Sequence, residues 1–361
     1  MGSRHGIGVI GLGVISERYL ATLGDVSRVR IAAVADLVPS RAETVARRVD
    51  GCRALAVSEL LEDPAVETVL NLTIPDAHAD VALAALRHGK NVYGEKPLAS
   101  TVAEARAVLA AAGDAAVGGA PDTVLGTGVQ TARAAVDSGM IGRPLSAVAT
   151  WISPGHEAWH PQPDFYYRAG GGPLFDMGPY YLSSLVHLLG PIVAVQGASS
   201  RPRPTRRIAS GPRAGEEIAV EVDTHVTGVL EHLGGALSTV VFSFDGSATV
   251  AAPIEVHGET GTLQVPDPNQ FDGTVHLRRP GESAWAALEP SAGYAGAERG
   301  IGLLDLIDGG GRASGALALH VLDAMESLLR SASTGRRVPL LTTAEPGPLV
   351  PLTEQERWRD S

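Results

Sequence analysis

The sequence predicts two parts. The first is an α/β N-terminal domain with a doubly wound parallel sheet. The second is an α+β C-terminal domain built on mostly antiparallel strands. Up to about residue 120, short apolar runs alternate with helix-length segments, which implies crossover units and a parallel sheet. From about residue 144, β-rich runs follow one another and several alternate apolar with polar residues, as half-buried antiparallel strands do. A length of 361 residues suits two domains, and 44% hydrophobic with 19% charged residues is globular composition with material for a sizeable core.

In the first part, residues 6–10, 29–35, 66–73 and 90–93 are the expected strands. Ser40 and Glu43 have capping-box spacing at a helix start, and so do Thr101 and Glu104. Asp76 is placed to cap a helix that runs to His88 and stops at Gly89. In the second part, residues 145–152, 218–231, 236–244, 252–257, 261–265 and 274–279 are β-rich, with hairpin turns expected at Gly234-Gly235 and Thr260-Gly261. Helices are expected at 176–189 and 315–333, the latter carrying an apolar stripe and stopping at Gly335. The expected divisions are residues 1–121, 122–337 and a proline-rich tail, 338–361, that wraps the surface. The arginines at 201–213 lie among prolines, as in a solvated loop.

A formal charge of −11 makes nucleic acid a poor partner, since binding it depends on neutralising phosphates. Cys52 is the single cysteine, so no intramolecular disulfide can form. No apolar run approaches the roughly 20 residues that span a bilayer, so no membrane partner is expected. Gly8, Gly11 and Gly13 interrupt the first apolar stretch, which argues against a signal peptide. The expected compartment is the cytoplasm.

Residues 11–16, GLGVIS, follow a strand and precede a helix. This is the Rossmann fingerprint. Gly11 permits the tight turn, Gly13 lets the backbone approach a pyrophosphate, and Ser16 is small enough for close helix–strand packing. Val14 and Ile15 complete the turn, and the helix N-terminus offers N–H groups to phosphates. Asp36 ends the second strand 20 residues after Ser16, where a carboxylate accepts from ribose hydroxyls and repels a 2′-phosphate. The expected cofactor is therefore NAD. Arg41, close by in sequence, leaves NADP open, although on a helix it is expected to be solvated.

With GEKPL at 94–98 the chain resembles the glucose-fructose oxidoreductase / inositol dehydrogenase (Gfo/Idh/MocA) family. GLGVIS, Asp36, TIPDAH (73–78), EKP (95–97), the glycines 170–172 with DMGPYY, and GETGTL (258–263) carry the resemblance, which spans about residues 6–335. It implies a Rossmann domain, then a domain with a large, open, mostly antiparallel sheet whose exposed face makes subunit contacts. A homodimer or homotetramer is expected.

The resemblance also implies the chemistry: an NAD(P)-dependent oxidoreductase acting on a secondary alcohol or ketone of a sugar, cyclitol or related polyol. Lys96, between Glu95 and Pro97, corresponds to the family's lysine beside nicotinamide and substrate; Pro97 corresponds to a proline often in the cis form. Asp176 matches the family's aspartate. Four residues on, where the family often has histidine, stands Tyr180, as in some members. Asp176 and Tyr180 share a helix face at i and i+4. A phenol with a pKa of about 10 needs the Lys96 ammonium to act as a base near neutrality. Tyr180 then takes the hydroxyl proton while Asp176 orients the substrate. Tyr181 points off that face. Thr73, Ile74, Pro75 and His78 resemble residues along the nicotinamide half of the cofactor, and Arg168 resembles an arginine near cofactor and substrate. His156, Trp159, His160, Tyr166 and Tyr167 lie in a proline-broken loop and can supply aromatic faces for a sugar.

Two other readings use the same residues. HEAWH (156–160) fits a zinc-peptidase pattern, but that pattern requires a helix, and Pro161 disfavours helical geometry at His160. No metal is expected. A nicotinamide-binding sensor would share the Rossmann half; the presence of Lys96, Asp176 and Tyr180 favours turnover.

Overall fold

A computed structural model describes residues 4–360. The chain forms two units. Of the described residues, one comprises 4–130, 291–319 and 347–360, the other 131–290 and 320–346.

The first unit carries a six-stranded parallel sheet in the order β3-β2-β1-β4-β5-β6. Its strands are β1 (His5–Ile10), β2 (Val29–Ala35), β3 (Arg53–Ala54), β4 (Thr68–Asn71), β5 (Asn91–Gly94) and β6 (Val117–Gly119). The helices α1 (Ser16–Gly24), α2 (Pro39–Arg48), α3 (Val57–Glu62), α4 (Pro75–Arg87) and α5 (Val102–Ala110) connect them. The strand order reverses between β1 and β4, and in such sheets ligands bind outside the carboxyl ends at that point. Ile7, Val9, Val34, Val69 and Leu70 bury the centre of the sheet, as strands covered on both faces require.

The capping box at Thr101 and Glu104 is present: Glu104 N–H donates to Thr101 Oγ1 (3.2 Å), and Thr101 N–H donates to the Glu104 carboxylate (3.0 Å). The caps expected of Ser40 and Asp76 are absent. In both helices a proline, Pro39 or Pro75, takes the first helical position, and Val38 or Ile74 becomes the N-cap. Proline suits that position because its missing N–H had no helical partner there anyway. Ser40 and Asp76 thereby fall at the second helical position, and Asp76 instead accepts from the Ser100 hydroxyl (3.1 Å).

The second unit is built on a nine-stranded mixed sheet. Its long strands are β7 (Pro144–Ile152), β8 (Ile192–Ser200), β11 (His225–His232), β12 (Leu237–Ser243), β13 (Ile254–Gly258) and β14 (Thr262–Val265). Apart from the parallel pair β7–β12, the pairings in this sheet are antiparallel. Gly234-Gly235 joins β11 to β12 and Thr260-Gly261 joins β13 to β14, as expected. The run 218–231 is not one strand. Its start, β10 (Glu217–Ala219), pairs with β9 (Thr205–Arg207) in a separate ribbon. The arginine-rich segment around 201–213 is therefore partly ordered, and Arg206 is buried. Helix α7 (Pro173–Leu189) packs on one face of the sheet, with Tyr181 edge-on to Phe242 at 5.6 Å. Among the described residues, no helix is long and apolar enough to cross a membrane.

Three of the buried histidines in this unit have depressed pKa values. Burial pushes His187 down to about 3 and His320 down to about 4, and lowers His232. Their folded pKa values lie below the unfolded value of about 6.5, so the unfolded chain binds more protons below that pH. Stability is therefore fully present above about pH 6.5 and falls as the pH drops below it. Urea titrations at pH 7.0 and 5.5 should show this loss, and His187→Leu should remove about 1 kcal/mol of it. An equal loss in the variant would show that His187 is not held neutral.

Candidate active site

In the first unit, four segments leave the carboxyl ends of strands. They are the glycine turn after β1, Asp36 after β2, Thr73-Ile74 after β4 and Glu95–Pro97 after β5. Gly11 has φ +93°, and a Cβ there would lie 2.6 Å from the Leu72 carbonyl. Only glycine allows the two chain segments to approach this closely. A Cβ on Gly13 would meet no protein atom within 4 Å, so room remains for a ligand's phosphates beside that backbone. Ser16 closes the turn by donating to the Gly13 carbonyl (2.6 Å).

Asp36 is held by main-chain donors: Leu12 N–H reaches one carboxylate oxygen and Val38 N–H the other, each at 2.8 Å. The carboxylate thus braces the glycine turn as well as marking the expected ribose position. Arg41 lies 3.6 Å from Asp36 with its side chain 58% exposed, so it is solvated and yet next to the carboxylate. Val14, at the glycine turn, and Leu37, after Asp36, are each 96% exposed. Leu37 and Val38 offer an apolar face that can take a flat base. Sequence reasoning missed them, although two apolar residues directly after a strand-end carboxylate were a visible signal.

Thr73 donates its hydroxyl to Asn71 (2.6 Å), whose amide donates to the His78 carbonyl (2.9 Å). Ile74 is exposed and Pro75 begins α4. The His78 ring differs from expectation. It is buried, with Nδ1 2.6 Å from the Pro97 carbonyl and Nε2 3.0 Å from the Thr73 carbonyl. Both ring nitrogens are engaged by main chain, so His78 ties the two loops together. The Lys96–Pro97 bond is cis. Glu95 accepts from the Tyr19 hydroxyl (2.8 Å) and from Lys96 N–H (3.0 Å), which secures the Lys96 backbone to α1. Burial, and then the charge of Glu95, hold the Tyr19 phenol well above its ordinary pKa, so it stays protonated as the donor. Tyr19 was not singled out from the sequence, and its partner lies 76 positions away.

In the second unit, Gly172 (φ +92°) and Pro173 start α7 and set Asp176 in its first turn, with Tyr180 one turn on. Asp176 meets His156 Nε2 at 2.6 Å. The His156 ring sits among Tyr166 (4.0 Å), Phe244 (4.9 Å), Trp159 (5.3 Å) and Trp151 (6.1 Å). Residues 156–158 form a single 3-10 turn, so HEAWH is not the helix that zinc peptidases need. Glu157 is buried and paired with Arg206 (2.7 Å), while His160 accepts from Gln162 N–H (3.0 Å). Tyr167, expected toward substrate, belongs to the core instead. It is fully buried with Ile208, Ile218, Val220 and Phe244, and its hydroxyl donates to Glu157. Trp159 is exposed, Tyr166 half-buried, and the exposed Arg168 lies 3.9 Å from Asp164.

Residues 5–117 match the model of the oxidoreductase family with an NAD-binding Rossmann fold, and residues 129–264 match the GFO/IDH/MocA C-terminal domain. The 1,5-anhydro-D-fructose reductase of Ensifer adhaerens is 30% identical over 68% of this chain and 71% of its own length. The chain belongs to the Gfo/Idh/MocA family of NAD-binding oxidoreductases. Inositol 2-dehydrogenase of Salmonella typhimurium is another relative, 37% identical over 29% of this chain and 32% of its own. A levoglucosan dehydrogenase solved with NADH and levoglucosan aligns at a TM-score of 0.77 and 21% identity, covering 94% of this chain and 99% of that one. This likeness shows the shared family fold.

The two fingerprint glycines should separate on mutation. Gly11→Ala should cost about 1–3 kcal/mol in backbone strain, plus the clash with Leu72, and lower the melting temperature. Gly13→Ala should leave melting unchanged and raise the NADH dissociation constant about tenfold or more. Unchanged NADH binding in Gly13→Ala would show that the phosphates do not lie there.

Proposed function

We propose that the protein transfers hydride between NAD and a secondary alcohol or ketone of a sugar, cyclitol or related polyol. The observation that supports this reading is where the expected acid–base residues stand in the fold. Lys96 stands at a cis-proline strap whose backbone Glu95 holds. Asp176 lies in the first turn of α7 against His156, and Tyr180 follows one turn later. The compounds for which the relatives are named, 1,5-anhydro-D-fructose, inositol and levoglucosan, support a polyhydroxylated substrate.

A bound nicotinamide supplies the two-electron acceptor or donor. In oxidation, Tyr180 takes the hydroxyl proton and Lys96 stabilises the developing alkoxide. Asp176 accepts from a substrate hydroxyl and orients it. In reduction the same groups return the proton. Trp159, His160, Tyr166 and Arg168 are the proposed loop contacts to substrate and cofactor. Thr73, Ile74 and Pro75 are the proposed contacts along the nicotinamide. Asp36 favours NAD; Arg41 beside it tempers the repulsion of a 2′-phosphate. The enzyme is proposed to work in the cytoplasm, where nicotinamide cofactors are recycled.

A homo-oligomer is also proposed. Facing residues Val148, Thr239, Val229 and Gln196 form one row across β7, β12, β11 and β8, and Thr150, Val241, Thr227 and Ala198 form the next. Val148 and Val229 are exposed on this face, whereas Ala147, Val240 and Leu230 are buried on the other. A second copy of the chain is the proposed cover for the open rows.

Titration with NADH and NADPH, followed by a sugar and cyclitol panel, tests the function. NADH binding with turnover of a polyol is expected; binding without turnover of any polyol would leave a sensor. Lys96→Ala should lower kcat about 100-fold or more while NADH still binds. Full turnover in that variant would remove Lys96 from the chemistry. Light scattering should show a dimer or tetramer that Val148→Lys with Val229→Glu disrupts; a monomeric wild type would overturn the assembly.

A further inference from the structure

HEAWH remains unexplained once the zinc reading has gone. Its first residue stands 2.6 Å from Asp176, at the start of α7. The loop that carries it is fastened on several sides. Arg206 donates to the Glu157 carboxylate (2.7 Å), to the Pro154 carbonyl (3.1 Å) and to Asp245 (2.5 Å). Ala209 N–H donates to the Glu157 carbonyl (2.9 Å), and the Ser210 hydroxyl to the Trp159 carbonyl (2.8 Å). Glu157 therefore anchors the loop, and its neighbour His156 reaches the carboxylate.

The tautomer follows from the surroundings. Nδ1 of His156 is buried and meets no hydrogen-bond partner among the described residues. A proton on Nδ1 would bury an unpaired N–H among aromatic rings and turn the Nε2 lone pair toward a carboxylate oxygen. Each of these is unfavourable. A neutral ring with its proton on Nε2 avoids both and donates to Asp176.

We propose that His156 is a positioning residue, whose Nε2–H donates to Asp176 and sets the direction of that carboxylate. This rests on the reading of Asp176 as the group that orients the substrate hydroxyl. The anchored loop lets the hydrogen bond form without fresh ordering of the chain, so the carboxylate is aimed before substrate arrives. The histidine acts through Asp176 and is not itself a contact to the reacting atoms, because its other nitrogen is closed off.

Two variants separate positioning from filling. In His156→Gln the amide nitrogen stands close to where Nε2 was, so a donor is kept. In His156→Phe a ring fills the aromatic cage with no donor. With myo-inositol and levoglucosan as probes, His156→Phe should lower kcat about 10- to 100-fold. KM for the polyol and the NADH dissociation constant should stay within about threefold of wild type, since uniform binding is not what is lost. His156→Gln should recover most of that kcat. A kcat in His156→Phe within about twofold of wild type would overturn the proposal, as would equal losses in the two variants.

A second measurement needs no substrate. Long-range proton–nitrogen NMR of histidine-labelled wild-type protein reads the tautomer, with His156 assigned by the signals missing in His156→Gln. A neutral ring protonated on Nε2 is expected, and protonation on Nδ1 would overturn the proposal. This also covers the case in which His156→Phe fails to fold. If neither probe is turned over by the wild-type protein, the substrate reading is what has failed, and the NMR result still decides the state of His156.

Discussion

A parallel sheet delivers its connections in one direction, and the candidate cofactor site depends on that constraint. β1, β2, β4 and β5 all end on the same edge, so the glycine turn, Asp36, Thr73 and Lys96 arrive there from four separate stretches of chain. On this edge the backbone at Gly11 runs so near the Leu72 carbonyl that a Cβ would not fit. The polar side chains nearby then brace loops. Asp36 holds the glycine turn, Asn71 holds Thr73, His78 spans from Thr73 to Pro97, and Glu95 links Lys96 to Tyr19. Exposed apolar residues, Val14, Leu37 and Ile74, occur among these braces.

In the second unit the corresponding constraint is a buried charge. Arg206 is almost wholly withdrawn from water and faces Glu157 and Asp245, with the Phe244 carbonyl also accepting from it. A charge withdrawn from water is tolerated only when paired and hydrogen-bonded, and removing one partner of a buried pair costs about 3–5 kcal/mol. Tyr167 completes the cluster from below, with its hydroxyl on Glu157 and its ring 5.5 Å from the guanidinium. Burial, and then the bond to Glu157, hold that phenol above its ordinary pKa, so it remains a donor. The loop before α7 is in this way part of the core on one side while its exposed side carries Trp159.

Much of the fold was legible because its signals are local. Glycines spaced for a tight turn, a carboxylate at a strand end, a threonine and glutamate three apart and paired glycines between strands each act through neighbouring backbone. The expectations that failed locally failed for a local reason too. Pro39 and Pro75 took the first helical positions and displaced Ser40 and Asp76 from the caps. The single run expected over 218–231 divides because β10 pairs with β9 and β11 with the large sheet. A pairing choice of that kind is made between distant segments.

By itself, then, the sequence determined the two kinds of sheet and the glycine turn after the first strand, since short-range geometry and spacing carry that information; Lys96, Asp176 and Tyr180 were picked out by the family resemblance. Only the tertiary structure decided which polar groups meet. His156 finds Asp176 at 20 positions' separation, Arg206 finds Glu157 at 49 and Asp245 at 39, and Tyr19 finds Glu95 at 76. It also decided that Tyr167 and His78 turn inward while Trp159 stays out. The physical reason is that hydrogen-bond satisfaction in a buried environment is a property of everything packed around a group, and no periodicity along the chain encodes it.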